Sequence, residues 1–128
     1  MRKRIIATLL CIIIVFGIFT VPAQARWTNC ASISLAMSLK NGTVSWSGSI
    51  EGNSDTIYIS ASYTLEKLGT NGNYNLVGYW SNLNTTRTTL DSGSSVTNTS
   101  GTYKLTLSGT VQSSTYSEPI TASFIKVL

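Results

Sequence analysis

Histidine is absent from this chain, and every chemistry that depends on an imidazole goes with it. No Ser-His-Asp relay, Cys-His pair or imidazole metal site can be assembled from these residues. Cysteine is nearly absent too, with only Cys11 and Cys30. Cys11 lies inside an apolar N-terminal run, so Cys30 is the one thiol of the remainder. One thiol excludes an internal disulfide staple, a Cys-rich zinc site and a dithiol redox motif. Proline occurs twice, at Pro22 and Pro119, and charged residues make up 11% of the chain. No glycine-rich loop joins a strand to a helix to cradle a phosphate. The composition points to a protein without cofactor, metal or enzymatic machinery, resting on its hydrophobic core alone.

What is present begins with the first twenty-five residues. Met1-Arg2-Lys3-Arg4 is cationic, Ile5 to Phe19 is an almost unbroken apolar run, and Ala23-Gln24-Ala25 is a small-x-small exit. That three-part layout is the signature of a secretory signal peptide. The run of about fifteen residues is shorter than the roughly twenty that a permanent transmembrane helix needs. Pro22 is expected to end the leader helix just before cleavage. Residues 1–25 are thus expected to leave after Ala25, with Ala23 and Ala25 forming the cleavage site. Residues 26–128 remain as one exported domain that meets a membrane only through the leader.

Subtracting the leader removes the apparent basic character. The formal net charge of +4 rests on Arg2, Lys3 and Arg4. The later cations Arg26, Lys40, Lys67, Arg87, Lys104 and Lys126 are nearly balanced by Glu51, Asp55, Glu66, Asp91 and Glu118. None of them cluster. A phosphate-tracking footprint needs clustered Lys or Arg, so nucleic acid is not an expected partner.

From residue 31 onward, apolar and small polar residues alternate with a period of two, as in half-buried strands. Ile33, Leu35, Met37 and Leu39 face one way and Ser32, Ser34, Ser38 and Lys40 the other. Asn41-Gly42 is a type I′ hairpin signal. Val44, Trp46 and Ile50 then point inward, followed by a turn at residues 51–55 and a strand with Ile57, Ile59, Ala61, Tyr63 and Leu65 on its inner face. A second hairpin is expected at Gly69–Asn73, returning through Tyr74 to Leu83. A threonine-rich strand is expected near Thr85–Leu90, with a loop at Asp91–Ser95. Tyr103, Leu105, Leu107 and Val111 are in phase on the next strand. The last runs near Ser117–Val127, with Pro119 tolerated on an edge. About seven strands in this length predict an all-β, two-sheet antiparallel sandwich.

Val44-Ser45-Trp46 resembles the buried strand-B tryptophan of fibronectin type III domains. Ser100-Gly101-Thr102-Tyr103-Lys104-Leu105 resembles the approach to their strand-F tyrosine, and to the tyrosine corner of immunoglobulin-like domains. The whole layout, with Thr43–Gly48, Tyr63–Lys67, Gly78-Tyr79-Trp80 and Gly101-Thr102-Tyr103, is similar to a family of small secreted β-sandwich proteins of Gram-positive bacteria. The resemblance implies the sandwich and its secretion; it implies no activity.

Four features bear on function. Glu51 and Asp55 are the only acids close in sequence, but they flank a turn in which Gly, Asn and Asp serve the backbone. Glu51, Asn53 and Asp55 place oxygens at alternate positions, yet lack the later bidentate acid of a calcium loop. Cys30 is out of phase with Ile33, Leu35 and Met37, so an unbroken strand would turn its thiol outward, where it could join a second chain by a disulfide; a buried thiol is the other reading. Tyr79 and Trp80 are adjacent and cannot both face one core. If Trp80 shares the face of Leu76 and is inside, Tyr79 points to solvent beside Val77. An exposed ring on a Ser/Thr-rich sheet can stack on the C–H face of a sugar. The sequence is therefore read as a secreted, non-catalytic interaction module, monomeric or linked through Cys30. Its expected partner is cell-wall glycan or another surface protein, with a bacteriocin-like secreted effector as the competing reading.

Overall fold

The computed structural model describes residues 18–22 and 28–128. The cleavage residues Ala23 and Ala25, and the leader before Ile18, lie outside the described residues. Eight strands follow in order: β1 (Ile18–Pro22), β2 (Cys30–Lys40), β3 (Thr43–Gly52), β4 (Thr56–Leu68), β5 (Tyr74–Thr85), β6 (Thr89–Thr97), β7 (Thr102–Ser113) and β8 (Ser117–Val127). They form two antiparallel four-stranded sheets, ordered β1-β2-β3-β6 and β5-β4-β7-β8. The seven strands after β1 build the sandwich that the alternation predicts. At β1 the expectation needs correction: Ile18 and Phe19, expected at the end of the leader helix, are extended. Ile18, Thr20 and Val21 are β-branched, and Pro22 sits at the end of an edge strand, where a missing N–H is tolerated.

The core lies between the sheets. Ile33, Leu35, Val44 and Ile50 from one sheet meet Ile59, Leu65, Leu105, Leu107 and Phe124 from the other. Trp46 is in the middle, its ring centroid 4.4 Å from Tyr63 and 5.0 Å from Trp80. Asn41 and Gly42 both have positive φ (52° and 73°), which closes the β2–β3 hairpin with Lys40 opposite Thr43. Tyr103 is fully buried, and its hydroxyl donates to the Thr99 carbonyl at 2.5 Å. Lys67 lies over the same ring, with Nζ 5.6 Å from its centroid, and donates to Asn98 and Thr99.

The threonine-rich strand is displaced from its expected place. β5 continues to Thr85, residues 86–88 bend, and Asp91–Ser95 form the middle of β6 rather than a loop. These small residues match a serine-rich neighbour. Asp91 lies opposite Ser49, whose hydroxyl donates to it at 2.6 Å, and Gly93 lies opposite Ser47. Ile57 also departs from its expected phase. A bulge between Thr56 and Tyr58 makes it the extra residue, so Thr56 is buried while Ile57 is 46% exposed.

The start of the domain is fixed by contacts that leave no sequence signature. Both carboxylate oxygens of buried Glu118 accept from backbone, Oε2 from Thr28 N–H at 2.9 Å and Oε1 from Asn29 N–H at 2.8 Å. The Asn29 side chain in turn donates to the Tyr116 carbonyl at 3.0 Å. Charge-assisted bonds of this kind are among the stronger ones a fold can make.

Candidate functional site

Tyr79 projects from β5 on the outer face of the sheet β5-β4-β7-β8, and it is 59% exposed. Trp80, next to it, turns inward and packs against the core, with its ring lying over Gly78. The adjacent aromatics thus divide between solvent and core as the alternation requires. The phase of the rest of β5 is different from the expected one. Leu65 lies opposite Gly78 but Glu66 opposite Leu76, so Val77 is an extra residue in a β-bulge. The bulge turns Val77 toward the core and leaves Leu76 outside, 68% exposed, on the same face as Tyr79. A second bulge between Trp80 and Leu83 is accommodated by Asn82, which has a φ of 59°. The first bulge adjoins Gly78, a strand-interior glycine of the kind that marks a bulge, whereas the second has no glycine or proline beside it.

The register lays out this face in rows. Tyr79, Thr64, Thr106 and Ser123 are opposite one another across four strands, and Leu76, Glu66, Lys104 and Ile125 form the row beside them. On the other side lie Ser62, Ser108 and Thr121. Lys104 reaches toward the β4–β5 hairpin, its Nζ 5.5 Å from the centroid of the Tyr74 ring. A shallow depression between β7 and β8 is lined by Lys104, Thr106, Thr121 and Ser123. The result is a hydroxyl-lined plane with an aromatic ring and an aliphatic side chain at one margin. Such a surface can stack on C–H groups and hydrogen-bond to hydroxyls, with the Glu66 and Lys104 charges in the neighbouring row.

The other candidate residues are placed differently. Cys30 is fully buried. Cys30 lies opposite Gly52 and Ser32 opposite Glu51, so Ala31 is the extra residue of a bulge, and that shift returns Cys30 to the inner face. Its thiol donates to the Ser32 carbonyl at 3.5 Å, and burial pushes its pKa up to about 11. The outward orientation expected of an unbroken strand is therefore corrected, and a disulfide to a second chain has no accessible sulfur. Glu51 accepts from the Ser32 hydroxyl at 3.3 Å, and Asn53 donates to the Thr28 carbonyl at 2.6 Å. These contacts give the 51–55 turn a structural role. Among the described residues, no group of three His, Cys, Asp or Glu is close enough to hold a metal ion.

Comparison with known proteins adds no relative: no family model matches the chain, and no curated protein matches it. The sequence anticipates the exposure of Tyr79 but not that of Leu76, nor the place of Lys104 beside Glu66. Leu76 was hidden by the bulge at Val77. Lys104 is one of a few scattered cations, and only the strand register brings it beside Glu66.

Proposed function

We propose that the chain is an exported, non-catalytic β-sandwich module that binds cell-envelope glycan through the Tyr79 face. The observation that carries this reading is Tyr79, a ring 59% exposed at the margin of rows of neutral hydroxyl side chains. Leu76 extends the apolar strip beside it, and Thr64 and Ser123 offer donors and acceptors in the same row, where the Thr106 hydroxyl oxygen is buried. A sugar presents the complementary pattern, with a C–H face for the ring and hydroxyls for the row. Secretion rests on the leader-like residues 1–25, and a Gram-positive origin on the sequence resemblance. The fibronectin type III-like reading gains support from buried Trp46 and from Tyr103, whose hydroxyl reaches back to Thr99 as in a tyrosine corner.

The test is co-sedimentation of the exported protein with Gram-positive cell walls stripped of protein by detergent and protease. The wild-type protein is expected to pellet, and Tyr79→Ala to remain in the supernatant. An exposed tyrosine contributes little to folding, so the variant should keep its stability within about 0.5 kcal/mol. Sedimentation with untreated walls alone would replace glycan by a surface protein as the partner. No sedimentation with either would overturn the reading and favour a freely diffusing effector.

A further inference from the structure

With β1 set aside as part of the expected leader, the two sheets have four outer edges, β2, β6, β5 and β8, and the last three carry devices that discourage another strand from adding. β5 is interrupted by two bulges. β8 carries Glu118, Pro119 and Lys126, and β6 carries Asp91 and Gly93. Charges, prolines and bulges are how natural sheets keep their edges from pairing with other chains. β2 differs. From Cys30 to Leu39 it has no charge, no proline and no glycine, and its single irregularity is at its first residues, on the side facing β3. In the structure this edge is not bare: β1 pairs with it from Ile18↔Ala36 to Pro22↔Ser32. The edge therefore accepts an antiparallel strand, and the strand it accepts comes from the segment expected to be removed with the leader.

We propose that, once residues 1–25 are cleaved, the edge of β2 takes the β2 of a second copy, forming a two-fold dimer. This inference rests on the cleavage assumed above, and not on glycan binding. The occupied window Ser32–Ala36 is centred on Ser34, which lies opposite Thr20 in the present pairing. With the two-fold axis at Ser34, Ile33 lies opposite Leu35 of the second copy and Ser32 opposite Ala36. Buried-face residues then meet buried-face residues, and small uncharged ones meet on the outer face. No like charges are opposed, and the interface is self-complementary as a two-fold contact must be. The result is a continuous six-stranded sheet, β6-β3-β2 joined to its symmetry mate. Cys30 takes no part.

The experiment uses the full chain expressed with its leader in an exporting Gram-positive host and recovered from the medium. Mass spectrometry reads its N-terminus, and sedimentation velocity its oligomeric state, with and without reductant. The expected result is a chain beginning after Ala25 that sediments as a dimer regardless of reductant. Ser34→Lys places two cations face to face at the axis and should weaken the dimer at least about tenfold, because like charges directly opposite repel. Ser34→Glu should do the same, and an equimolar mixture of the two variants should restore the dimer as a heterodimer. That rescue separates an interface effect from misfolding. A monomer at tens of micromolar, a dimer indifferent to both variants, or a recovered chain that keeps residues 18–22 would each overturn the proposal. Wall binding by Tyr79 is read separately and can fail or succeed without affecting these outcomes.

Discussion

Cys30 shows how much a single residue's setting decides. Its thiol is buried and its pKa is about 11, against an ordinary value of 9.0, chiefly because burial disfavours the thiolate. The sign of the consequence follows directly. Between pH 9 and 11 the native thiol keeps its proton while the unfolded one loses it, so stability falls as pH rises through that window. Burial likewise pushes Tyr63 and Tyr103 upward, which adds to the loss at the alkaline end of the window and beyond it. Urea denaturation from pH 8 to 11 should show this decline, and Cys30→Ala should flatten its lower part while leaving the tyrosine part. The same burial should keep Cys30 unreactive toward iodoacetamide in native protein at pH 8, with full labelling in urea. Prompt labelling of the native protein would return the thiol to the surface.

At the scale of the strands, Gly48 and Tyr63 form a cross-sheet pair. Gly48 is on the inner face of β3, where an added Cβ would collide with the Tyr63 ring and hydroxyl. That hydroxyl is buried and has no hydrogen-bond partner in the protein. Gly48→Ala should therefore destabilise by about 1–3 kcal/mol through overpacking. Tyr63→Phe removes an unpartnered buried polar atom and should be neutral or mildly stabilising. The double variant should recover part of the Gly48→Ala loss, since the hydroxyl is among the atoms the new methyl meets; strict additivity would show that the contact does not limit the packing. Elements like these also mark what alternation could and could not reveal. The β2–β3 hairpin, the inward phase of Trp46 and Tyr103, and the bounds of β8 follow from period two and Asn-Gly chemistry. The inversions at Cys30, Ile57 and Leu76 each come from one inserted residue in a ladder. A bulge of that kind is set by the pairing partner, and period two along a single strand does not place it; Gly78 beside Val77 is the one local mark among the three. Residues 91–95 were obscured differently: Asp, Gly and Ser read as a loop until the serine-rich face of β3 supplies a partner. The Glu118 clamp joins residues about ninety apart in sequence, and no local pattern could announce it.

For the whole molecule, the two proposed surfaces have a geometric relation with a measurable consequence. Strand addition across the β2 edge places the two-fold axis perpendicular to the shared sheet, so the two β5-β4-β7-β8 sheets lie on the same side of it. Both Tyr79 faces of the proposed dimer then look in one direction. Two modest sites on one rigid body bind a polymeric surface far more tightly than either alone, because the second contact is intramolecular; gains of about 10²-fold and above are common. Ser34→Lys lies on the opposite sheet from Tyr79 and should leave affinity for a soluble wall-glycan fragment unchanged. It should lower apparent affinity for intact walls by about tenfold or more, because only avidity is lost. Tyr79→Ala should abolish both. Titrating each variant against fragment and wall separates the terms. Equal losses on fragment and wall for Ser34→Lys would mean that the substitution reaches the Tyr79 face through the core, and that the two surfaces do not act as independent sites on one dimer.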